Sequence, residues 1–325
     1  MVPHPPVRHT CHMTVTPGAT AFVTGATGFI GTELIRILVA AGLQVFGLAR
    51  SAEAAERVRR NGAVAVMGDL LEPGRWQDEA AADWVFHLPP NPFSSRRVAR
   101  RHLKSMARAR MLMDEHLFDA LADGPTRQIV CASESSCFGR TGLRPITEDE
   151  PLRPAPWAQR LAPVLDRLDG YVVAGLPIVT AFPGWVYGNA SWFHKRVIEP
   201  VMTNRRVLQF GRTGPWVSPI HIHDCARGLV HLAEHGEAGG RYFLVNNDPI
   251  RTHEFARTFA RLAGRPLRVW RLPAAAARLA VGPVLADYVT HDSVFSNIRL
   301  RGTGFRFRYP TVEQGLEQVL GALHE

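Results

Sequence analysis

The stretch Ala21-Phe22-Val23-Thr24-Gly25-Ala26-Thr27-Gly28-Phe29-Ile30-Gly31 decides the fold of this 325-residue chain. An apolar strand at 21–24 runs into a glycine-rich turn, and apolar residues at helical spacing follow. The first glycine permits the tight bend, the second lets a pyrophosphate approach the backbone, and the third lets the helix pack on the strand. Free N–H groups at the helix start then face the phosphates. The turn predicts dinucleotide binding by Gly25, Thr27, Gly28, Phe29, Ile30 and Gly31.

Outward from this turn, the first half of the chain alternates short apolar strands with helices. The pattern predicts further strands at 44–49, 63–67, 84–88, 128–132 and 176–182, and helices at 52–60 and about 95–121. This βαβα alternation predicts an α/β fold with a doubly wound, parallel, Rossmann-type sheet.

Beyond about residue 185, tryptophan, proline and arginine become frequent and the elements become shorter. We predict a flexible leader at 1–18, a dinucleotide-binding Rossmann domain at 19–184, and a smaller, partly interleaved substrate-binding domain at 185–325. The region at 185–325 can also contribute strands or helices to the Rossmann domain. Helices are predicted there at 224–234 and 253–263.

Two histidines near the start of one of these helices, His221 and His223, alternate and are expected to share one face of a strand. Asp224 is predicted to be the N-cap of the helix that follows. Metal binding needs a third ligand, and none is evident nearby, so the sequence predicts no metal site.

An arginine stands where the second strand ends. Arg50 follows Gly31 by nineteen residues, and a carboxylate at that place would bind the ribose 2′-hydroxyl, whereas an arginine suits a 2′-phosphate. NADP is therefore favoured and NAD stays open, as does a solvated surface role for Arg50. Ser51 beside it, and Asp69 and Leu70 after the third strand, are further predicted cofactor contacts.

The composition favours a folded protein, since 46% of the residues are hydrophobic and no run approaches the roughly 18 uninterrupted apolar residues of a membrane span. The net charge of +9 comes mostly from arginine, because only Lys104 and Lys195 are lysines. A basic helix at 96–110 would suit nucleic acid, but a solvated face or a subunit contact is the favoured interpretation. The expected partner is a small-molecule substrate, with a homodimer left open and with neither nucleic acid nor membrane.

Four cysteines, at 11, 131, 137 and 225, form no C-x-x-C pair, which is typical of reduced thiols. The N-terminal residues lack the apolar core of a signal peptide. The sequence therefore predicts a cytoplasmic protein, and its richness in alanine and arginine is typical of a GC-rich bacterial genome.

Several further segments occur in the order of a known family. They are TGATGFIG (24–31), GDL (68–70), FHL (86–88), TEDEP (147–151), PGWVYG (183–188) and PIHIHD (219–224). Together they resemble the extended short-chain dehydrogenase/reductase superfamily, of the NAD-dependent epimerase/dehydratase type, over about residues 20–320. The resemblance implies that Leu88, Pro89, Pro183 and Val186 also contact the cofactor.

The catalytic positions depart from that family. Its members use a Tyr-x-x-x-Lys pair for proton transfer, and the flanking pattern puts these positions on Trp157 and Leu161, neither of which passes a proton. The family's serine or threonine falls on Glu134, with Ser133 and Ser135 on either side. A partly desolvated Glu134 would serve as general acid or base; an edge glutamate paired with an arginine is the alternative. Ser133, Ser135 and Tyr187 are the other catalytic candidates.

Four tryptophans are predicted to line the substrate cleft: Trp157, Trp185, Trp192 and Trp216. They indicate a flat, apolar substrate, with ordinary core packing as the alternative. The segment at 215–218, where the resemblance implies an arginine for a nucleotide-sugar substrate, reads PWVS and favours an aromatic or polyketide-like one.

Three functions remain open on these observations. The first is an atypical oxidoreductase of bacterial metabolism, primary or secondary, that lacks the Tyr/Lys dyad. The second is a non-redox isomerase, dehydratase or cyclase that uses Glu134. The third is a non-catalytic NADP-sensing protein. An enzyme is favoured, because the altered positions carry specific chemical groups rather than alanine.

Overall fold

The computed structural model of the protein describes residues 18–89, 100–140, 142–155, 158–191 and 193–323. The strands, in chain order, are β1 (Thr20–Val23), β2 (Gln44–Ala49), β3 (Val64–Met67), β4 (Trp84–His87), β5 (Gln128–Ala132), β6 (Ile178–Pro183), β7 (Trp185–Tyr187), β8 (Val207–Phe210), β9 (Trp216–Val217), β10 (Pro219–His221), β11 (Arg241–Leu244), β12 (Ile250–Arg251) and β13 (Val269–Leu272).

The α-helices follow the same order along the chain. They are α1 (Phe29–Ala40), α2 (Ala52–Arg60), α3 (Trp76–Ala80), α4 (Arg100–Leu121), α5 (Ala162–Val173), α6 (Glu199–Met202), α7 (Ile222–His235), α8 (Thr252–Leu262), α9 (Ala277–Val281), α10 (Pro283–Thr290), α11 (Ile298–Gly302) and α12 (Val312–Gly321). None of these helices is long and apolar enough to cross a membrane, among the residues that the structure describes.

Seven parallel strands form the central sheet, in the order β11-β6-β5-β4-β1-β2-β3. The six strands predicted for the first half of the chain are confirmed, β2 and β5 with the predicted bounds and the others shifted by one or two residues. Strand β6 begins at Ile178 rather than at Leu176, since Pro177 has no N–H to donate to the ladder. The doubly wound Rossmann-type fold is confirmed. The seventh strand, β11, comes from the region after residue 185 and pairs with β6.

Alternation along the strands gives the sheet two apolar faces. Phe22 and Val85 belong to one buried cluster, together with α4 and α5 side chains such as Leu117 and Leu165. The next residues along those strands, Val23 and Phe86, belong to a second cluster with side chains of α1 and α7. The sheet is thus covered by helices on both faces, as parallel sheets require.

Neighbouring strands β1 and β4 form a switch point, because the connections that follow them leave toward opposite edges of the sheet. In open α/β sheets of this kind, ligands bind in the crevice outside the carboxyl ends of the strands at that point. The glycine-rich turn follows β1, so the fold itself places it in the crevice.

The expectation for the two histidines is wrong. Strand β10 ends at His221 and helix α7 begins at Ile222, with the His221 side chain as the cap that accepts the N–H of His223 at 3.2 Å. Asp224 is therefore not the N-cap. Its buried carboxylate accepts the backbone N–H groups of Arg308 and Tyr309, each at 2.8 Å, and so ties the C-terminal segment to α7.

Candidate active site

The glycine-rich turn is built so that two of its glycines are obligatory. Gly25 has φ +64°, and a Cβ there would lie 2.1 Å from the carbonyl oxygen of Leu88. A Cβ on Gly31 would lie 2.3 Å from the carbonyl oxygen of Gly25. The N–H of Gly28 donates to that same oxygen at 2.9 Å and closes the turn. Any side chain at Gly25 or Gly31 would force the turn apart.

Helix α1 starts at this turn and offers its N-terminus to a ligand. Gly28 precedes the helix in an extended conformation, and no side chain of the described residues caps it. The first N–H groups of a helix have no intrahelical acceptor and carry a partial positive charge. Gly25 and Gly28 are exposed, with Thr27, Phe29 and Ile30 half-buried around them. These residues fit the pyrophosphate of a bound dinucleotide.

The predicted contacts for the adenosine half lie at the ends of β2 and β3, beside this turn. Arg50 is exposed and makes no ion pair with another residue that the structure describes. Ser51 accepts the N–H of Ala54 at 3.2 Å and caps α2, and Asp69 accepts the N–H of Leu71 at 3.0 Å. Ser51 and Asp69 therefore have structural roles whether or not a cofactor is bound, while Arg50 is available to a ligand.

The remaining predicted cofactor residues lie at the ends of β4 and β6 and in β7. Leu88 donates its N–H to the Thr24 hydroxyl at 3.1 Å and turns its carbonyl toward Gly25. Pro89 directly follows it, Pro183 ends β6, and Val186 lies in β7. Leu70, after Asp69, is buried in the core.

Glu134 lies just beyond the carboxyl end of β5, before a 3₁₀ turn at Ser135–Phe138. Ser133 is held by its N–H to the Ala181 carbonyl at 2.9 Å. The Tyr288 hydroxyl donates to Glu134 Oε2 at 3.4 Å. Burial raises the pKa of Glu134 to about 7, partly opposed by the nearby Arg110 guanidinium. A pKa near the working pH suits a general acid or base.

Tyr288, on α10, is the residue that the sequence did not reveal as part of the site. Burial, together with the Glu134 charge, raises the pKa of its phenol well above the ordinary value, so it stays a hydrogen-bond donor. It stands 154 positions from Glu134 along the chain. Because α10 belongs to no motif, no signal in the sequence beyond the residue type itself indicates Tyr288.

A small pocket opens between the 3₁₀ turn and α10, lined by residues that include Ser135, Ser136, Tyr288 and Phe295. An ion pair between Arg140 and Asp287 joins its two sides. Ser293, also in the lining, donates its N–H to the Trp216 carbonyl at 2.8 Å, so the Trp216 strand borders the pocket.

A buried polar chain runs beneath this crevice. Thr24 Oγ1 lies 2.8 Å from Nδ1 of His87, whose Nε2 lies 2.8 Å from Asp114 Oδ1. Arg110 Nε donates to the same Asp114 oxygen at 2.6 Å. Burial lowers the pKa of His87, so its ring is neutral near pH 7. No local sequence spacing indicates this series of hydrogen bonds, because Thr24 follows β1, His87 lies on β4, and Arg110 and Asp114 lie on α4.

Other predicted site residues lie apart from Glu134. Tyr187 is fully buried in β7, with its ring against Phe193, His221 and Phe255, in a C-terminal apolar cluster. Burial raises its pKa far above the ordinary range. Gly315 packs directly on its hydroxyl. The structure thus gives Tyr187 a packing position and does not bring it to the pocket.

Some of the predicted cleft tryptophans, and one of the two positions of the family's Tyr-x-x-x-Lys pair, lie among the described residues. Trp185 is half-buried in β7, and Trp216 in β9 has the Arg251 guanidinium 4.9 Å from its ring centre. Trp157 and Trp192 lie outside the described residues. Leu161 is buried at the N-cap of α5, an apolar side chain where the family's lysine is expected.

Metal ligands and reactive thiols are the remaining candidate chemical groups. The described part of the chain contains no group of three or more histidine, cysteine, aspartate or glutamate side chains suited to a metal ion. The described cysteines, Cys131, Cys137 and Cys225, are buried and free of disulfides. Burial raises the pKa of Cys131 and of Cys137 to about 12, so neither is a thiolate nucleophile at neutral pH.

Two relatives of known description match most of this chain. The chain is 29% identical over 267 residues to a 4-hydroxy-2-methyl-3-oxo-4-farnesyl-3,4-dihydroquinoline-1-oxide ketoreductase of Stigmatella aurantiaca, covering 80% of this chain and 78% of that protein. It is 26% identical over 309 residues to a 3-diazoavenalumate denitrifying reductase of a Streptomyces species, covering 90% and 98%.

Solved structures share the fold. A human epimerase family protein with NADPH matches with a TM-score of 0.77 and 22% identity, over 93% of this chain and 99% of that one. A UDP-glucuronic acid 4-epimerase of Bacillus cereus with NAD matches with a TM-score of 0.79 and 18% identity, over 94% and 99%. The model of the NAD dependent epimerase/dehydratase family matches residues 21–246. With its glycine turn and sheet order, this chain belongs to the NAD dependent epimerase/dehydratase family.

Proposed function

We propose that this protein is an NADP-dependent reductase of an aromatic or polyketide-like ketone, with Glu134 as its general acid. One observation carries the proposal: a carboxyl with a pKa of about 7 lies at the carboxyl edge of the sheet and is hydrogen-bonded by a phenol. The glycine turn lies at the same edge. A proton donor and a dinucleotide cradle in one crevice are what carbonyl reduction requires.

The residues at the turn would hold the cofactor. The N-terminus of α1 would bind the pyrophosphate, and Leu88, Pro89, Pro183 and Val186 would contact the nicotinamide half. Arg50, exposed and without an ion-pair partner among the described residues, supports a 2′-phosphate and hence NADP. The human family member binds NADPH and the Bacillus cereus epimerase binds NAD, so Arg50 is the feature of this chain that favours NADP.

The proton chemistry falls to this chain's own side chains. When bound, the reduced nicotinamide supplies a hydride to the carbonyl carbon. Glu134, in its protonated form, gives its proton to the carbonyl oxygen, so that the C=O bond becomes C–H and O–H. The Tyr288 hydroxyl then donates a hydrogen bond to the new carboxylate, and solvent restores the proton. The pair of Glu134 and Tyr288 thus takes the place of the family's Tyr-x-x-x-Lys pair.

The substrate class is inferred from the aromatic border of the pocket. Tyr288 and Phe295 line it, and the backbone of Trp216 adjoins it through the N–H of Ser293; flat rings pack well on aromatic side chains such as Tyr288 and Phe295. The Stigmatella relative reduces a farnesylated dihydroquinoline oxide by its name, which supports an aromatic, apolar ketone over a nucleotide sugar.

The test is a panel of aryl and quinolone ketones with NADPH. We expect consumption of NADPH that matches alcohol formation one for one, and preference for NADPH over NADH. Substrate conversion without any change in reduced nicotinamide would instead support a non-redox catalyst that uses Glu134. Tight NADPH binding with no conversion of any compound would support a sensing protein.

A further inference from the structure

Arg110 lies in helix α4 with its guanidinium under the end of β5. Its three nitrogen atoms reach three different acceptors: Nε to Asp114 Oδ1 at 2.6 Å, Nη2 to Cys131 Sγ at 3.0 Å, and Nη1 to the Ala132 carbonyl at 3.4 Å. The side chain is 13% exposed and that of Asp114 only 1%. A planar guanidinium held from three sides has no freedom to turn away.

The polar chain on the other side of Asp114 fixes its charge. The Asp114 carboxylate can only accept, so His87 Nε2–H donates to it, and the other ring nitrogen of the neutral His87, Nδ1, accepts the hydroxyl proton of Thr24. Thr24 Oγ1 in turn accepts the N–H of Leu88. Since this histidine is neutral, Arg110 is the cation that balances the Asp114 carboxylate among the residues that the structure describes. The arrangement also links the glycine turn, through Thr24, to the end of β5.

We propose that Arg110 is a positioning residue for Glu134: it fixes the carbonyl end of β5 and sets, through its charge, how readily the Glu134 carboxyl holds its proton. The carbonyl it holds belongs to Ala132, two positions before Glu134. The proposed function gives this coupling its catalytic meaning, but the coupling itself exists whether or not the chain reduces ketones.

The other groups near Glu134 bring no competing cation. Helix α10 contributes the Tyr288 phenol, and the 3₁₀ turn contributes the Ser136 hydroxyl and the Cys137 thiol. Arg140 is paired with Asp287 across the pocket. Among the described residues, Arg110 is therefore the cation whose charge lowers the Glu134 pKa against the effect of burial.

The experiment is a titration of Glu134 in the full chain. Carbon-13 NMR of protein labelled at the glutamate side-chain carboxyl follows each titration, and the Glu134 signal is the one missing from the E134Q variant. In R110Q we expect the Glu134 midpoint to rise by at least about one pH unit, because an opposite charge nearby has been lost. R110K, which keeps the charge, should titrate close to the unaltered protein.

Two controls keep the test decisive. R108Q removes an exposed arginine of the same helix and should leave the midpoint unchanged. R110Q leaves Asp114 buried without its partner, which is strongly destabilising, whereas removing both charges is tolerated better. If R110Q does not fold, R110Q/D114N serves in its place, with a midpoint raised by at least about half a pH unit.

A Glu134 midpoint in R110Q or in the double variant that equals that of the unaltered protein would overturn the inference, as would an equal rise in R108Q. If ketone reduction is observed, the pH dependence of kcat/KM should move with the NMR midpoint. If no ketone is reduced, a shifted NMR midpoint still supports the positioning role of Arg110. The failure of the proposed function can therefore be distinguished from the failure of this inference.

Discussion

At Glu134, burial has a direct kinetic consequence. Reduction requires the protonated carboxyl, and its pKa is about 7. We therefore expect kcat/KM for ketone reduction to fall as pH rises through about 7, and the rate of alcohol oxidation to rise over the same interval. Steady-state rates measured from pH 5 to 9 in both directions check this. A reduction rate that is flat across that interval would mean that Glu134 is not the proton donor.

At Gly25, close backbone approach and a left-handed conformation act together. G25A would place a methyl group 2.1 Å from the Leu88 carbonyl oxygen, and we expect a loss of about 3 kcal/mol of stability together with weaker dinucleotide binding. G42A is the matched control, since Gly42 has φ +87° with nothing within 4 Å; it should cost only about 1 kcal/mol. Urea unfolding and calorimetric titration with NADPH measure both. Equal losses in the two variants would show that the close approach to Leu88 contributes nothing.

At the level of elements, helix α10 brings Tyr288 and Asp287 to the pocket. Y288F removes the hydrogen bond to Glu134 while keeping the ring, so we expect kcat for reduction to fall about 10-fold with little change in NADPH affinity. Y171F, on α5 away from the pocket lining, should leave kcat unaltered. An unchanged kcat in Y288F would restrict Tyr288 to packing.

The sequence predicts the elements better than it predicts their contacts. Strands β2 and β5 were predictable with their bounds, because short apolar runs lie between clear breaks. The His221–His223 pattern misled, since period-two alternation over three residues does not distinguish a strand end from a helix start. The glycine turn was predictable because its function depends on local backbone geometry.

The contact between Glu134 and Tyr288 was not predictable, for a physical reason. It joins residues 154 positions apart, and it depends on how α10 packs over the end of β5 rather than on any local spacing. The contacts around Arg110 have the same character, since Thr24 follows β1, His87 lies on β4, Cys131 on β5 and Asp114 on α4. Glu134 itself was found because a family motif marks its place.

For the whole molecule, the raised Glu134 pKa makes stability depend on pH. The folded-state pKa, about 7, lies above the ordinary value of 4.5, so the stabilising contribution of the protonated form is complete below about 4.5 and is lost as pH rises through about 7. E134Q cannot ionise and should exceed the unaltered protein in stability above pH 7 by on the order of 2 kcal/mol, with little difference at pH 4.5. Thermal unfolding at pH 4.5 and above pH 7 measures this, with E56Q, at an exposed position of α2, as control. An equal effect of E134Q at both pH values would contradict the burial of this charge.

The cytoplasmic location, the homodimer and the division at residues 19–184 and 185–325 stay predictions. The architecture does bear on the last of these, because β11 completes the central sheet from beyond residue 185. A fragment that ends near residue 184 would leave the edge of β6 unpaired. Because an unpaired strand edge can pair with another chain, we expect that fragment to aggregate.

The central claim is that Glu134 supplies the proton for a hydride transfer to a ketone in this crevice. It is tested most directly by a single turnover with NADPH deuterated at the transferable position of the nicotinamide, for the unaltered protein and for E134Q. We predict deuterium at the carbinol carbon of the product, and in E134Q an unchanged affinity for NADPH with transfer at least about 100-fold slower. Product that forms without deuterium, or transfer at full rate in E134Q, would contradict it.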